Sequence, residues 1–128
     1  MGAQRFGKAE RLNSKKSIQE LFTRGSYFYS HPFKVLVVYS SDAAANQVLI
    51  SVSKRSFKKA VDRNTLKRRT REGYRLQKEQ LTVEGNVRIG LLYTAKTILS
   101  SSEIHKGVLA ALKKISKQPL PVPAKLNP

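Results

Sequence analysis

A run of basic residues between Lys54 and Lys78 constrains the fold of this chain more than any other feature. It holds eleven lysines and arginines against two acids, a net charge of +9 over 25 residues. The segment contains no proline and is rich in residues that favour helices, so we predict one long helix over Lys58 to Lys78. Unpaired charges are very costly to bury. The helix must therefore lie on the surface and dock through a narrow uncharged side.

Helical spacing separates the charged and uncharged sides of this helix. At about 100° per residue, one face carries a set that we call the outward row: Asn64, Lys67, Arg68, Arg71 and Arg75. The opposite side offers a docking stripe: Leu66, Thr70, Gly73 and Tyr74. A charged helix face often only contacts solvent and binds no ligand. Such a face usually includes acids that pair with its bases, however, and the outward row contains no acid. Arginine also binds phosphate through two parallel hydrogen bonds and stacks on bases, so the row favours nucleic-acid contact.

The composition of the whole chain points the same way. Of 128 residues, 25 are lysine or arginine and 8 are aspartate or glutamate, which gives a formal net charge of +17 and indicates a polyanionic partner. The chain has no cysteine, which excludes disulfides and thiolate zinc sites. It shows neither a secretory signal nor a run of about 18 apolar residues, so we expect a cytoplasmic protein with no membrane partner.

The length predicts one domain, since domains commonly hold about 50 to 250 residues. We expect it to cover residues 1–117, with residues 1–11 as a basic N-terminal arm. Residues 118–128 contain three prolines within five residues, and proline blocks both helix and ladder hydrogen bonds. We therefore expect a disordered, proline-rich tail there.

Start and stop signals predict two further helices. The first covers Ser14 to Thr23 and stops at Gly25. The last has an apolar face made of Ile104, Val108, Leu112 and Ile115. Each contains a possible capping box, formed by Ser17 with Glu20 in the first and by Ser100 with Glu103 in the last.

Three segments rich in β-branched and aromatic residues predict strands, at Phe33–Ser40, Gln47–Ser53 and Asn86–Tyr93. The first two, separated by a turn-like segment, are expected to form an antiparallel pair. The third is apolar on both faces, as a central strand would be. Tyr27-Phe28-Tyr29 is placed in a loop before the first strand, where one ring could stack on a base. The element order favours an α+β fold, an α/β sandwich in which helices cover a small sheet.

The titratable residues indicate no catalytic centre in the protein. The eight acids are scattered along the chain and show no spacing typical of a metal-dependent nuclease. His31 and His105 have no evident partner, and no phosphate-cradling glycine loop or nucleophile elbow is present. We expect no catalytic residue, no metal ligand and no cofactor bound directly by the protein.

Two segments carry a family resemblance: ISVSKR at residues 50–55 and AVDRNTLKRRTRE at residues 60–72. Together they resemble the signature of the bacterial ribonuclease P protein subunit, a strand ending in SxSK followed by AVxRNRxKRxxRE. The departure is Thr65, where the family has arginine. The resemblance implies an αβββαβα order, a mostly antiparallel sheet and three helices. It also implies a left-handed βαβ crossover, as in the second domain of a ribosomal protein and against the usual right-handed rule.

The resemblance also implies a function. Such a protein is an accessory subunit that binds the catalytic RNA of ribonuclease P and the 5′ leader of precursor tRNA, while the RNA subunit cleaves with Mg²⁺. No obligate protein partner is expected. A small basic ribosomal protein, or another structural RNA-binding protein, is the alternative that composition alone would favour. A protein-only nuclease is disfavoured by the scattered acids.

Two sets of site residues follow. The RNA-binding set comprises Lys54, Arg55, Lys58, Lys59, Arg63, Asn64, Lys67, Arg68, Arg71 and Arg75. The resemblance further implies a leader cleft between the first helix and the sheet, at positions that correspond here to Ile18, Phe22, Lys34 and Leu36. This cleft is less aromatic than the family's, so we expect charge and apolar contact to carry more of the leader binding.

Overall fold

A computed structural model describes residues 7–40, 43 and 45–117. Its helices are α1 (Lys15–Arg24), α2 (Ala60–Gln77) and α3 (Ser101–Lys117), and its strands are β1 (Ser26–Ser30), β2 (Phe33–Ser40), β3 (Gln47–Val52) and β4 (Asn86–Tyr93). Short 3-10 turns lie at Lys8–Glu10 and Lys78–Gln80. The order αβββαβα and the α+β class are thus confirmed. The predicted tail at 118–128 and the first six residues of the predicted arm lie outside the described residues.

The four strands form one mixed sheet in the order β1-β2-β4-β3. The β1–β2 and β2–β4 pairs are antiparallel and the β3–β4 pair is parallel, so the sheet is mostly antiparallel as predicted. The expected pairing of β2 with β3 is wrong, because β4 lies between them. Residues Val87–Leu91 of β4 are all buried, and a strand that is apolar on both faces is stabilised most at the centre of a sheet. The left-handed sense of the β3–α2–β4 crossover stays a prediction.

Tyr27-Phe28-Tyr29 belongs to strand β1, so its placement in a loop is wrong. β1 forms a hairpin with β2, in which Tyr27 pairs with Leu36 and Tyr29 with Lys34. Aromatic residues favour strands, and the alternating burial along β1 matches a strand with one covered face. The short, polar-flanked segment carried this signal, but five residues are few for recognising a two-residue period.

The sheet buries side chains on both faces. On one face, alternate residues of the strands pack with α2 and α3 into the larger core, which includes Phe33, Ile89 and Tyr74. On the other face, α1 covers a smaller cluster of Leu12, Leu21, Leu36 and Val38. Gly90 lies beneath α1, where an added Cβ would come 3.1 Å from Leu21 Cδ2. The absence of a side chain at Gly90 therefore lets α1 pack closely on the centre of the sheet.

The helix ends follow local signals with one exception. The Ser14 hydroxyl accepts a hydrogen bond from the Ser17 backbone N–H at 3.3 Å, so Ser14 is the N-cap of α1 and the predicted capping box of Ser17 and Glu20 is wrong. Glu20 instead lies 3.4 Å from the Arg88 guanidinium, a contact between distant segments that local sequence could not reveal. The stop at Gly25 is confirmed. The second capping box is also confirmed: the Glu103 backbone N–H donates to the Ser100 hydroxyl at 3.2 Å, and the Ser100 N–H donates to Glu103 Oε1 at 3.3 Å.

Candidate nucleic-acid interface

Helix α2 docks on the protein through the predicted stripe. The buried residues of the helix are Leu66, Thr70, Gly73 and Tyr74. Gly73 allows close contact with α3, since an added Cβ would lie 3.0 Å from His105 Cδ2 and 3.3 Å from Val108 Cγ2. Burial raises the pKa of the Tyr74 phenol well above its ordinary value, with a smaller contribution from Glu10. The phenol is therefore neutral, and α2 docks through an uncharged face.

The opposite face of α2 presents the outward row to solvent. Asn64 and Arg68 are exposed, whereas Lys67, Arg71 and Arg75 are half-buried. Arg71 and Arg11 line a surface cleft along β3, together with Val48, Leu49 and Ile50. Half-burial is expected for long basic side chains that lay their methylene groups on the protein while the charged ends stay in water. The predicted separation of a charged side from a docking side is thus present in the structure.

One carboxylate adjoins the outward row. Glu72 Oε1 lies 2.7 Å from Arg75 Nη2, in an i,i+3 pair whose side chains are 45% and 33% exposed. This hydrogen bond lowers the pKa of Glu72, opposed by desolvation. Solvent-exposed pairs of this kind contribute about 0–1 kcal/mol to stability. The charge of the row is therefore partly neutralised by Glu72, most strongly at Arg75 and more weakly at Arg68.

The basic residues before α2 and in its first turn divide into two groups. Lys54, Arg55, Lys58 and Lys59 are exposed and lie in the segment that joins β3 to α2. Arg63 Nη1 donates to the backbone carbonyls of Phe57 at 2.8 Å and Lys58 at 2.9 Å. Arg63 therefore fixes the shape of this segment, a structural task that its place in the basic run did not suggest.

Thr65 stands where the family has arginine. Its hydroxyl donates to the Val61 carbonyl at 2.9 Å, so its polar atom is engaged along the helix rather than directed outward. Arg69, which lies between the row and the docking stripe, donates from Nη1 to the Leu99 carbonyl at 2.6 Å and ties α2 to the loop before α3. Both side chains thus make hydrogen bonds within the protein.

The predicted leader cleft lies on the α1 face of the sheet, but its four residues differ in access. Phe22 is 50% exposed and Lys34 is half-buried, whereas Leu36 is only 5% exposed beneath α1. Ile18 is partly buried against the same cluster as Leu36. Phe22 and Lys34 are therefore the accessible members of the set, whereas Leu36 belongs to the cluster beneath α1 and Ile18 packs against it.

Two aromatic residues that were not assigned to this face lie on it. Tyr27 and Tyr29 point to the α1 side because their partners in β2 are Leu36 and Lys34. Their rings lie 6.1 Å apart at 85°, and Lys34 Nζ lies 4.6 Å from the centre of the Tyr27 ring. The sequence signal was present as the alternation Ser-Tyr-Phe-Tyr-Ser, which places both tyrosines on one side of a strand.

The remaining titratable residues do not gather into a site. Across residues 7–40, 43 and 45–117, no three histidine, cysteine, aspartate or glutamate side chains are close enough to hold one metal ion. His31 is exposed in the turn between β1 and β2, and His105 Nε2 is buried without a hydrogen-bond partner between α2 and α3. None of the helices in the described part of the chain has the length and apolar character that a bilayer crossing requires.

Comparisons with known proteins agree on one family. The family model described as Ribonuclease P matches residues 6–116. A ribonuclease P protein component from Porphyromonas gingivalis is 41% identical over 78 residues, which cover 59% of this chain and 57% of that protein. One from Chlorobium phaeobacteroides is 39% identical over 79 residues, covering 58% of this chain and 54% of that protein. The chain thus matches little more than half the length of these curated relatives.

Solved structures extend the likeness to nearly the whole described chain. The RNase P protein of Staphylococcus aureus superposes with a TM-score of 0.68 at 25% identity, over 86% of this chain and 97% of that one. The RNase P protein of Thermotoga maritima superposes with a TM-score of 0.70 at 24% identity, over 83% of this chain and 97% of that one. The second likeness concerns the fold alone.

Proposed function

The chain belongs to the bacterial ribonuclease P protein family, and on that premise we propose that it is the protein subunit of ribonuclease P and acts in the 5′ maturation of precursor tRNA. In this proposal the protein works in the cytoplasm with two RNA partners, the RNA subunit of the enzyme and the precursor tRNA. The ribosomal-protein alternative loses its support, because composition was its only argument and the family match spans residues 6–116.

The observation that carries the proposal is the two-sided helix α2. Its docking stripe is fully buried, whereas the outward row holds four cations and one amide, all of which can donate hydrogen bonds. Arginine donors match phosphate oxygens in geometry and charge. We assign this face, with the exposed cations at 54, 55, 58 and 59, to the RNA subunit.

The proposed division of labour follows from the chemistry of these groups. Guanidinium and ammonium groups neutralise phosphates and position RNA, but neither is a general base at neutral pH. Hydrolysis of the phosphodiester is therefore assigned to the RNA subunit with Mg²⁺, which would activate the attacking water. The protein lowers the repulsion between the RNA subunit and precursor tRNA, so its effect should be largest at low Mg²⁺ concentration.

The α1 face of the sheet is assigned to the single-stranded leader. Phe22 offers an exposed ring, and Lys34 offers a cation on the neighbouring strand. A cation next to an aromatic ring is typical of surfaces that bind single strands without strong sequence preference. The leader and the RNA subunit would thus use different surfaces, α1 with the sheet and α2 respectively.

A double substitution in the outward row tests the α2 assignment. The variant Arg68→Ala/Arg71→Ala should bind the RNA subunit at least tenfold more weakly in 0.1–0.2 M salt, since two phosphate contacts are lost. It should keep the wild-type melting temperature within a few degrees, because neither side chain is buried. At low Mg²⁺ it should restore less 5′ cleavage than the wild-type protein does.

The matched control is Lys106→Ala/Lys113→Ala, which removes the same charge from exposed positions of α3. It should bind the RNA subunit within about twofold of wild type, apart from a general charge effect. Equal losses in the two variants would refute the assignment to α2. So would wild-type affinity in a folded Arg68→Ala/Arg71→Ala protein.

A further inference from the structure

Two exposed tyrosines on the edge of the sheet have no structural task that explains them. Tyr27 and Tyr29 are 60% and 63% exposed, more than any other described aromatic residue. They lie two residues apart on β1, which is the outermost strand, so both rings stand on the same face at the end of the sheet. Phe28 between them points to the opposite face and packs against the larger core. The two tyrosines therefore face solvent, while the partly buried Phe28 anchors the strand to the core.

The two rings form a corner with a cation beside it. The rings meet edge to face, at 85° and 6.1 Å between centres, so they do not lie flat on each other. Lys34 Nζ lies 4.6 Å from the Tyr27 centre, within the roughly 6 Å range of a cation–π contact. An ammonium held at the ring is well placed to meet a phosphate when a base stacks nearby.

Helix α1 ends directly before β1 and carries a third exposed ring and a further cation in its last turn. Gly25 alone separates the end of α1 at Arg24 from the start of β1 at Ser26. Phe22 and Arg24, both exposed, lie in the last turn of α1. This part of the chain thus combines exposed aromatic rings with positive charge, which complements single-stranded RNA better than it complements an apolar protein surface.

We propose that Tyr27, Tyr29 and Lys34 form an edge-strand platform on which bases of single-stranded RNA stack. The proposal rests on the proposed function, because it extends the leader surface from α1 and the centre of the sheet to the edge strand. Aromatic stacking tolerates any base, since every base has a π-face. The platform adds aromatic contacts for RNA to a face on which Ile18 and Leu36 supply only apolar side chains.

The test compares stacking with charge by using two probes of equal phosphate number. A fluorescently labelled octamer of adenosine and an abasic octamer with the same backbone are titrated with the free protein. Tyr27→Ala/Tyr29→Ala should bind the adenosine octamer at least fivefold more weakly, the smallest effect of losing one stacked base. It should bind the abasic octamer within twofold of wild type. The slope of log affinity against log salt should stay unchanged, because no charge is removed.

Two companion variants distinguish ring stacking from simple apolar contact. Tyr27→Phe/Tyr29→Phe keeps both rings and should keep the affinity, whereas Tyr27→Leu/Tyr29→Leu keeps apolar bulk on the strand and should lose it. The leucine variant also guards against misfolding of the alanine variant. Ile98→Ala serves as a control, because it truncates a side chain that is 44% exposed in the loop before α3. It should leave octamer binding unchanged.

Three results would overturn the platform: wild-type affinity of folded alanine and leucine variants for the adenosine octamer, equal losses on both octamers, or a protein dimer that the alanine variant dissolves. Binding of the RNA subunit by Arg68→Ala/Arg71→Ala is measured in parallel. If the platform is refuted but Arg68→Ala/Arg71→Ala binds the RNA subunit more weakly than wild type, the proposed function is still supported. Wild-type binding of the RNA subunit by this arginine variant would refute the proposed function itself.

Discussion

The contact between α3 and the β1–β2 turn yields a sharp prediction about stability. Gly107 lies inside α3, and a Cβ added there would stand 2.4 Å from Pro32 Cδ and 2.6 Å from the His31 carbonyl oxygen. Real Cβ contacts are essentially never that short, and the carbonyl is backbone, so the turn and the helix must separate. Overpacking costs about 1–3 kcal/mol and a clash with backbone lies in the upper part of that range, about 2–3 kcal/mol, while alanine gains about 1 kcal/mol over glycine in a helix. We expect Gly107→Ala to lower the free energy of unfolding by about 1–2 kcal/mol.

Gly73→Ala is the matched control, because Gly73 is also a buried glycine inside a helix. Its added Cβ would lie 3.0 Å from His105 Cδ2 and 3.3 Å from Val108 Cγ2, where a side chain can yield. The helix-propensity gain is the same, so Gly73→Ala should stay within about 1 kcal/mol of wild type. Urea unfolding and thermal melts of both variants provide the comparison, and the expected fall for Gly107→Ala is about 4–8 °C. A Gly107→Ala protein as stable as Gly73→Ala would refute the packing argument.

Three further predictions concern charge. If about four to six leader phosphates are neutralised, log affinity for a single-stranded leader should fall with log salt at a slope of about −3 to −4, and a slope near zero in a salt titration would contradict this. Sulfate should raise the melting temperature above that in sodium chloride of equal ionic strength, because an anion held by the native cation cluster stabilises the fold by mass action; equal melting temperatures would argue against such a cluster. Glu72→Gln should raise affinity for the RNA subunit about two- to fivefold at low salt, because it removes the carboxylate beside the outward row. Since the pKa of Glu72 is lowered in the fold, its small contribution to stability is present above the unfolded value near 4.5 and is lost as pH falls through the folded pKa. The Glu72→Gln protein should lack that part of the acid sensitivity, and an unchanged RNA affinity in a binding titration would contradict the electrostatic argument.

The helices and strands that depend on interactions between residues close in sequence could be predicted from the sequence. Helix α2 and its two faces follow from a 3.6-residue period over eighteen residues, and the Ser100–Glu103 capping box follows from groups three residues apart. The order of the strands was not predictable in this way. Placement of β4 between β2 and β3 depends on burying both of its faces, which is a property of the assembled sheet. Neighbours in sequence were therefore a poor guide to neighbours in the sheet.

The candidate site also combines features that depend on nearby residues with features that depend on the assembled fold. The outward row can be read from the sequence because all its members share one helix, and their orientation follows from the docking stripe on the other side. The tyrosines of β1 could not be assigned alone, since their exposure depends on α1, which covers Leu36 and leaves the edge strand open. Arg63 has a structural role that the sequence did not indicate, because its Nη1 donates to the carbonyls of Phe57 and Lys58, while its assignment to RNA stays a prediction. Whether a cation in a basic run is also held by backbone carbonyls depends on the folded loop, so charge and spacing alone could not reveal this role.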